Sequence, residues 1–262
     1  MRADPIGTFA GLVRALGLPP ECRVDKRVPK KLLMENGAPT AVDKRLINER
    51  IEHIHWLATL KPTTIGVSPY RDNQREYLEI AVLAVTLRDA TAKPAKTARL
   101  VELIHRAVPY PTLLIFAHGE SLNLSLAHKR WSLGEAGRTV LAGEVVECRL
   151  GDNGATRLEE NFLAALPLAR QPRTNLYALY QGWIDTLLAL LASRVTGTFT
   201  RTETPAQATE RLAALGEYAR LEVEATRLRA VAAKERQMAR QVELNLKLKR
   251  IEAAQTAARA RL

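Results

Sequence analysis

The sequence predicts a mixed α/β domain, built on a mixed sheet with a βαβ unit and a hairpin, followed by a helical region and a long C-terminal helix or coiled coil. Three observations predict it. Two runs apolar on both alternating faces, residues 80–87 and 112–117, flank a stretch with helical periodicity, which is the pattern of a βαβ unit. The run that follows, 121–127, alternates cleanly, with Leu122, Leu124 and Leu126 on one face. From about residue 206 onward, Ala, Glu, Arg, Lys, Leu and Gln dominate, all strong helix formers. The expected boundaries are an α/β domain over 1–152, a helical extension over 153–200 and a charged C-terminal helix over 201–262.

Taken in order, residues 8–16 suit a short helix ended by Gly17 and the Pro19-Pro20 pair. A polar, basic connector follows, with Arg23, Lys26, Arg27, Lys30 and Lys31 interrupted by Pro29. Thr40 is a candidate N-cap, with Asp43 three residues on, for a helix that carries Ile47, Ile51, Ile54 and Leu57 and closes at Pro62. Residues 63–67 read as a short strand. A loop containing Pro94 leads to a helix over 95–107, stopped by Pro109-Tyr110-Pro111. His118-Gly119-Glu120 makes the turn into the alternating strand, expected to have one solvated face, and 139–149 is a further strand. After the turn at 151–154, a helix opening near Asn175 sets Leu176, Leu179, Tyr180, Trp183, Leu187, Leu190 and Leu191 on one stripe, with Gly182 permitting close packing. Residues 193–205 form a linker. The last segment has only Gly216 as an interruption and would extend roughly 80 Å as one rod. Its apolar seam, Leu212, Leu215, Leu221, Leu228, Val242, Leu246 and Ile251, is the candidate surface for docking a partner or for self-association.

Composition bounds the function. The 262 residues are 47% apolar, enough for a real core. No apolar run approaches the roughly 20 residues of a membrane span, and the N-terminus lacks a signal-type pattern. The expected setting is cytoplasmic, without a membrane partner. Two distant cysteines, Cys22 and Cys148, read as buried fillers. Lys and Arg exceed Asp and Glu by 39 to 28, a net charge of +11 that favours polyanionic partners.

No phosphate-binding glycine loop, dinucleotide fingerprint, zinc-helix motif or nucleophile elbow occurs. His53 and His55, two apart on the expected helix, point apart and cannot share a metal ion. His105 belongs at a core edge, while His118 and His128 are the histidines best placed for function. A metal nuclease would use Glu79 and Glu120 on neighbouring strands, yet no lysine stands two residues after Glu79. No cofactor or metal site is expected. The nucleic-acid-binding candidates are Lys26, Arg27, Lys30, Lys31, Lys129 and Arg130, with Trp131 able to stack a base.

Several segments resemble a bacterial family of unknown biochemical function, encoded beside DNA methyltransferases and helicases in restriction-like, phage-defence gene clusters. They are KRVPKK at 26–31, DKRLINE at 43–49, LKPTTI at 60–65, REYLEI at 75–80, IHRAVPYP at 104–111, LSLAHKR at 124–130 and NLYALYQGW at 175–183. The resemblance implies a component working with DNA-handling enzymes and carries no active-site residues with it. The expectation is therefore a non-catalytic accessory or adaptor subunit of a DNA-modification or antiphage defence system, with a co-encoded helicase or methyltransferase as partner. A DNA-binding module using the basic clusters and a metal-dependent nuclease-like domain are the alternatives.

Overall fold

The computed structural model describes residues 9–88, 94–118, 121–135, 137–151 and 156–262. The elements in chain order are α1 (Phe9–Ala15), β1 (Arg23–Arg27), α2 (Lys30–Asn36), α3 (Ala41–Arg50), β2 (Ile51–Leu60) and the single turn α4 (Pro62–Ile65). The two-residue strands β3 (Tyr70–Arg71) and β4 (Glu76–Tyr77) precede β5 (Ile80–Leu87), α5 (Pro94–Ala107), β6 (Thr112–His118) and β7 (Ser121–Leu126). Then come β8 (Lys129–Trp131), β9 (Thr139–Leu141), β10 (Val146–Leu150), α6 (Arg157–Ala165), α7 (Leu176–Thr196), α8 (Pro205–Ala232) and α9 (Met238–Arg259). The chain divides into two compact units after Leu187.

The first unit is organised by a six-stranded mixed sheet in the order β1-β2-β5-β6-β7-β10. As the apolar runs predict, β5 and β6 pair in parallel, from Ala81 opposite Thr112 to Thr86 opposite Ala117, and α5 makes the crossover. β7 returns antiparallel to β6. On one face of the sheet, Ile51, Ile54, Leu83, Val85, Leu114 and Phe116 pack against Leu33, Ile47, Leu100, Leu103 and Ile104 from α2, α3 and α5. Tyr180 of α7 ties into the sheet through its hydroxyl, which donates toward the carbonyls of Thr112 (2.7 Å) and Ala127 (3.1 Å). Gly182 is required for close packing: a Cβ there would lie 2.4 Å from Cδ of Pro172.

The structure corrects several expectations. The basic connector is ordered as β1 and α2. Thr40 caps α3 by accepting from the Asp43 amide at 3.1 Å, but the helix stops at Arg50 and the next ten residues are β2. Ile51, Ile54 and Leu57 mimic helical spacing because β2 holds extra residues. Its pairing with β5 shifts between Ile51 and His53 and again between Trp56 and Ala58. The first bulge displaces the alternation by one residue, so Ile51 and Ile54, three apart, reach the same core, while Trp56 rather than Leu57 continues that face. Residues 62–65 are a helical turn, not part of a strand. In β7 both faces are covered, with Ser125 fully buried against His105. The expected strand over 139–149 is two strands in different sheets. The expected turn at His118-Gly119-Glu120 includes residues 119 and 120, which lie outside the described residues.

In the second unit the C-terminal segment is helical as predicted, but it is two helices rather than one rod. α8 runs straight through Gly216 and ends at Ala232, and α9 begins at Met238. Glu235 accepts from the amides of Arg236 (2.8 Å) and Gln237 (2.9 Å), which fixes the turn just ahead of α9. The two helices are antiparallel, because Arg229 pairs with Glu252 at 3.0 Å, Gln255 donates to Glu222 at 2.6 Å and Arg211 donates to the Leu262 carbonyl at 3.0 Å. Leu221, Ala225 and Leu228 of α8 and Ala258 of α9 are buried.

Candidate functional site

Residues 27–30 bring two cations to the end of the sheet. Arg27 is the last residue of β1, opposite His55 of β2. The Val28 amide still donates to the Ile54 carbonyl at 2.9 Å, and Pro29 then fixes the N-terminus of α2, so Lys30 opens that helix. Its Nζ donates to the Asn48 carbonyl at 3.2 Å. From the other side comes Arg88, which follows β5 and whose amide donates to the Arg50 carbonyl at 2.9 Å. Arg27, Lys30, Glu52, His53 and Arg88 line one open pocket of about 450 Å³.

The electrostatics are those of gathered like charge. The Lys30 ammonium has a lowered pKa, through partial burial first and then through repulsion by Arg88 and Arg27, with Glu52 opposing. Glu52 itself lies 3.3 Å from Nε2 of His53. Arg27 and Arg88 have no acidic partner among the described residues. Among the described residues, three cations face one carboxylate, an under-neutralised arrangement that an external anion can complete.

The other basic candidates fall elsewhere. Lys26 is exposed on β1 opposite Trp56. Lys31 is exposed and pairs along its own helix with Glu35 at 3.6 Å. Arg130 lines a different cleft, together with Arg106 and Arg138. There the arginines are already engaged: Arg106 with Glu102 at 2.5 Å, Arg138 with Glu135 at 2.6 Å, and Arg130 with the Trp131 carbonyl at 3.0 Å. Lys129 is not a surface cation. It is 2% exposed, and its Nζ donates to the carbonyls of His105 and Val108, the latter at 3.0 Å. Burial lowers its pKa to about 7. This lysine caps the C-terminus of α5 from inside and offers nothing to a phosphate.

The histidines sort by strand rather than by helix. His53 and His55 share a face of β2, the reverse of the helical expectation, with His55 3.6 Å from Asp25. His105 is wholly buried, 3.0 Å from the Ser125 hydroxyl, and burial lowers its pKa to about 3. His128 is a structural joint: Nδ1 lies 2.6 Å from the Tyr77 hydroxyl and Nε2 lies 2.7 Å from Oε1 of Gln181. Gln181 is oriented by donating to Asp185 at 2.7 Å, which leaves its oxygen to accept from Nε2–H and Nδ1 to accept from Tyr77. Burial lowers the His128 pKa to about 4, so the ring is neutral at physiological pH. The His118 side chain and Glu120 lie outside the described residues. Glu79 is paired with Lys61 at 3.3 Å. Among the described residues no group of three or more His, Cys, Asp or Glu could hold a metal ion.

The docking seam divides in the same way. Leu221 and Leu228 are buried between the two helices, and Leu212, Leu215 and Ile251 are half-buried. Val242 and Leu246 are exposed, at 57% and 54%. Arg88 and His53 are not among the nucleic-acid-binding candidates of the sequence, because only the pairing of β2 with β1 and with β5 brings them beside Arg27. Cys22 and Cys148 are buried and form no disulfide, as expected. No helix among the described residues is long and apolar enough to cross a membrane.

No curated protein and no solved structure matches the chain. A family model described as a domain of unknown function (DUF4391) matches residues 16–254, so the chain belongs to that family.

Proposed function

We propose that the protein is a nucleic-acid-binding accessory component that grips a phosphate backbone through Arg27, Lys30 and Arg88. The observation that supports this most is the convergence of these cations, from β1, α2 and the end of β5, on one pocket where Glu52 is the single carboxylate among the described residues. Phosphate contacts need exposed, under-neutralised cations and confer affinity without sequence preference. The net charge of +11 adds long-range attraction. The resemblance to components encoded beside methyltransferases and helicases fits such a role.

Fluorescence anisotropy of a labelled oligonucleotide across a salt series tests it. The variant R27A/K30A/R88A should bind at least ten-fold more weakly. Its dependence of log affinity on log salt should be shallower by about 2 to 3, near one per lost phosphate contact. Lys31→Ala, which removes a cation already paired with Glu35, should change either quantity little. An unchanged slope and affinity in the triple variant would sink the proposal.

A second reading, an adaptor that docks a protein through the C-terminal helices, is favoured by the exposed Val223, Val231, Met238, Val242 and Leu246. Co-purification with the products of neighbouring genes tests that reading. A protein that binds none of them removes it.

A further inference from the structure

The cationic pocket is not isolated: Arg27 also lines a second groove of different chemistry. That groove, about 420 Å³, is lined by Val24, Val28, Pro29, Leu32 and Trp56, with Lys26 and Lys61 at its margin. Leu32 is 48% exposed there. Trp56 is half-buried, and its indole N–H is already used, donating to the Ala58 carbonyl at 3.0 Å. What the indole offers to the groove is therefore apolar ring surface. Glu79, the carboxylate at this margin, is neutralised by Lys61 at 3.3 Å.

The join between the two sites is built into the strand pairing. Two residues of β1, Val24 and Asp25, stand where β2 has only Leu57, between the pairs Arg23–Ala58 and Lys26–Trp56. Asp25 adopts a left-handed φ of 45°, so the edge strand bends at this bulge. Beyond the bulge, Lys26 stands opposite Trp56 and Arg27 opposite His55. Residues 27–32 then run continuously from the cationic pocket to the apolar groove.

A partner that fills both must carry anionic groups next to flat apolar ones, since Arg27 lines both pockets. Duplex DNA would satisfy the cations and leave the groove empty, since its base faces are stacked inside. A single strand presents phosphates and unstacked base faces together. Resting on the phosphate-binding reading above, we infer that the protein prefers single-stranded nucleic acid. Phosphates lie on Arg27, Lys30 and Arg88, and a base inserts beside Trp56 and Leu32.

The test uses the full chain with three probes: a short oligothymidine or oligouridine, a duplex of the same length, and inorganic polyphosphate. Wild type should bind at least one single strand roughly ten-fold more tightly than the duplex, a gap of the size expected for one stacked base. Trp56 emission should be quenched on binding, a signal kept in Trp131→Phe. Leu32→Ala and Trp56→Leu change no charge. Each should weaken single-strand binding several-fold while leaving duplex and polyphosphate binding within two-fold. Leu32 is exposed, so its variant keeps the test valid should Trp56→Leu disturb folding. Equal affinity for single strand and duplex, without quenching, would overturn the single-strand inference and leave the phosphate reading intact. Failure to bind any nucleic acid would end both.

Discussion

The α/β unit and the C-terminal helical unit solve the problem of burial in opposite ways. In the first, central strands β5 and β6 are covered on both faces, and Val82, Leu83, Leu113, Leu114 and Ile115 are at most 2% exposed. Its contacts join residues far apart in sequence, such as Tyr77 with His128 and Asp43 with Arg99. In the second, two helices share one narrow seam and are fastened at intervals by polar pairs such as Arg229–Glu252 and Gln255–Glu222. A thick core resists local opening, whereas a seam of Leu, Ala and polar pairs opens in part at modest cost. The functional pocket sits on the well-buried unit, where Arg27, Lys30 and Arg88 can be held in fixed relation.

Three experiments break or sharpen this contrast. The largest effect belongs to the sheet: Leu114→Ala, at a fully buried position between strands, should cost about 3 kcal/mol in urea unfolding. It should lower hydrogen-exchange protection throughout β5, β6 and α5. A graded effect comes from pH, and it too belongs to the α/β unit. His105 and His128 have folded pKa values lowered to about 3 and about 4 from 6.5, mainly by burial. The unfolded chain therefore takes up protons first, and stability present above about pH 6.5 should be lost progressively as pH falls toward 4. His128→Gln should flatten part of that slope, read from urea midpoints at several pH values. The smallest effect is in the helical unit, where Leu228→Ala should cost about 1 kcal/mol. Its exchange protection should fall in α8 and α9 alone, and protection lost equally in β6 would show that the two units open together.

What was legible in the sequence follows the same divide between local and distant causes. The βαβ unit, the β6–β7 return, the Thr40 cap and the helix α7 each depend on a pattern within one segment, although α7 is buried on more than the single stripe expected, with Ile184, Leu188 and Ala192 covered as well. Gly182 was legible as a close approach, though not its partner, Pro172. β2 was misread because its bulges produce a spacing that only the neighbouring strands reveal. Lys129 looked like a surface cation because nothing in His-Lys-Arg-Trp shows that its ammonium reaches the end of α5. Even at Thr40 the capping logic was incomplete, since the Asp43 carboxylate is held by Arg99 at 3.0 Å, fifty-six residues away. The cationic pocket was half legible: Arg27 and Lys30 lie close in sequence, while Arg88 arrives only through sheet pairing.

The turn between α8 and α9 also settles where attachments to this unit would emerge. A single rod would carry residue 262 to its far end. Folded back at residues 233–237, the chain returns to its own start, and the Leu262 carbonyl lies 3.0 Å from Arg211. A tag or dye joined at 262 would stand beside Thr200, whose carbonyl also accepts from Arg211 at 2.6 Å. The extremity of the hairpin is the turn at Glu235, so a handle meant to project away from the base of these helices belongs there.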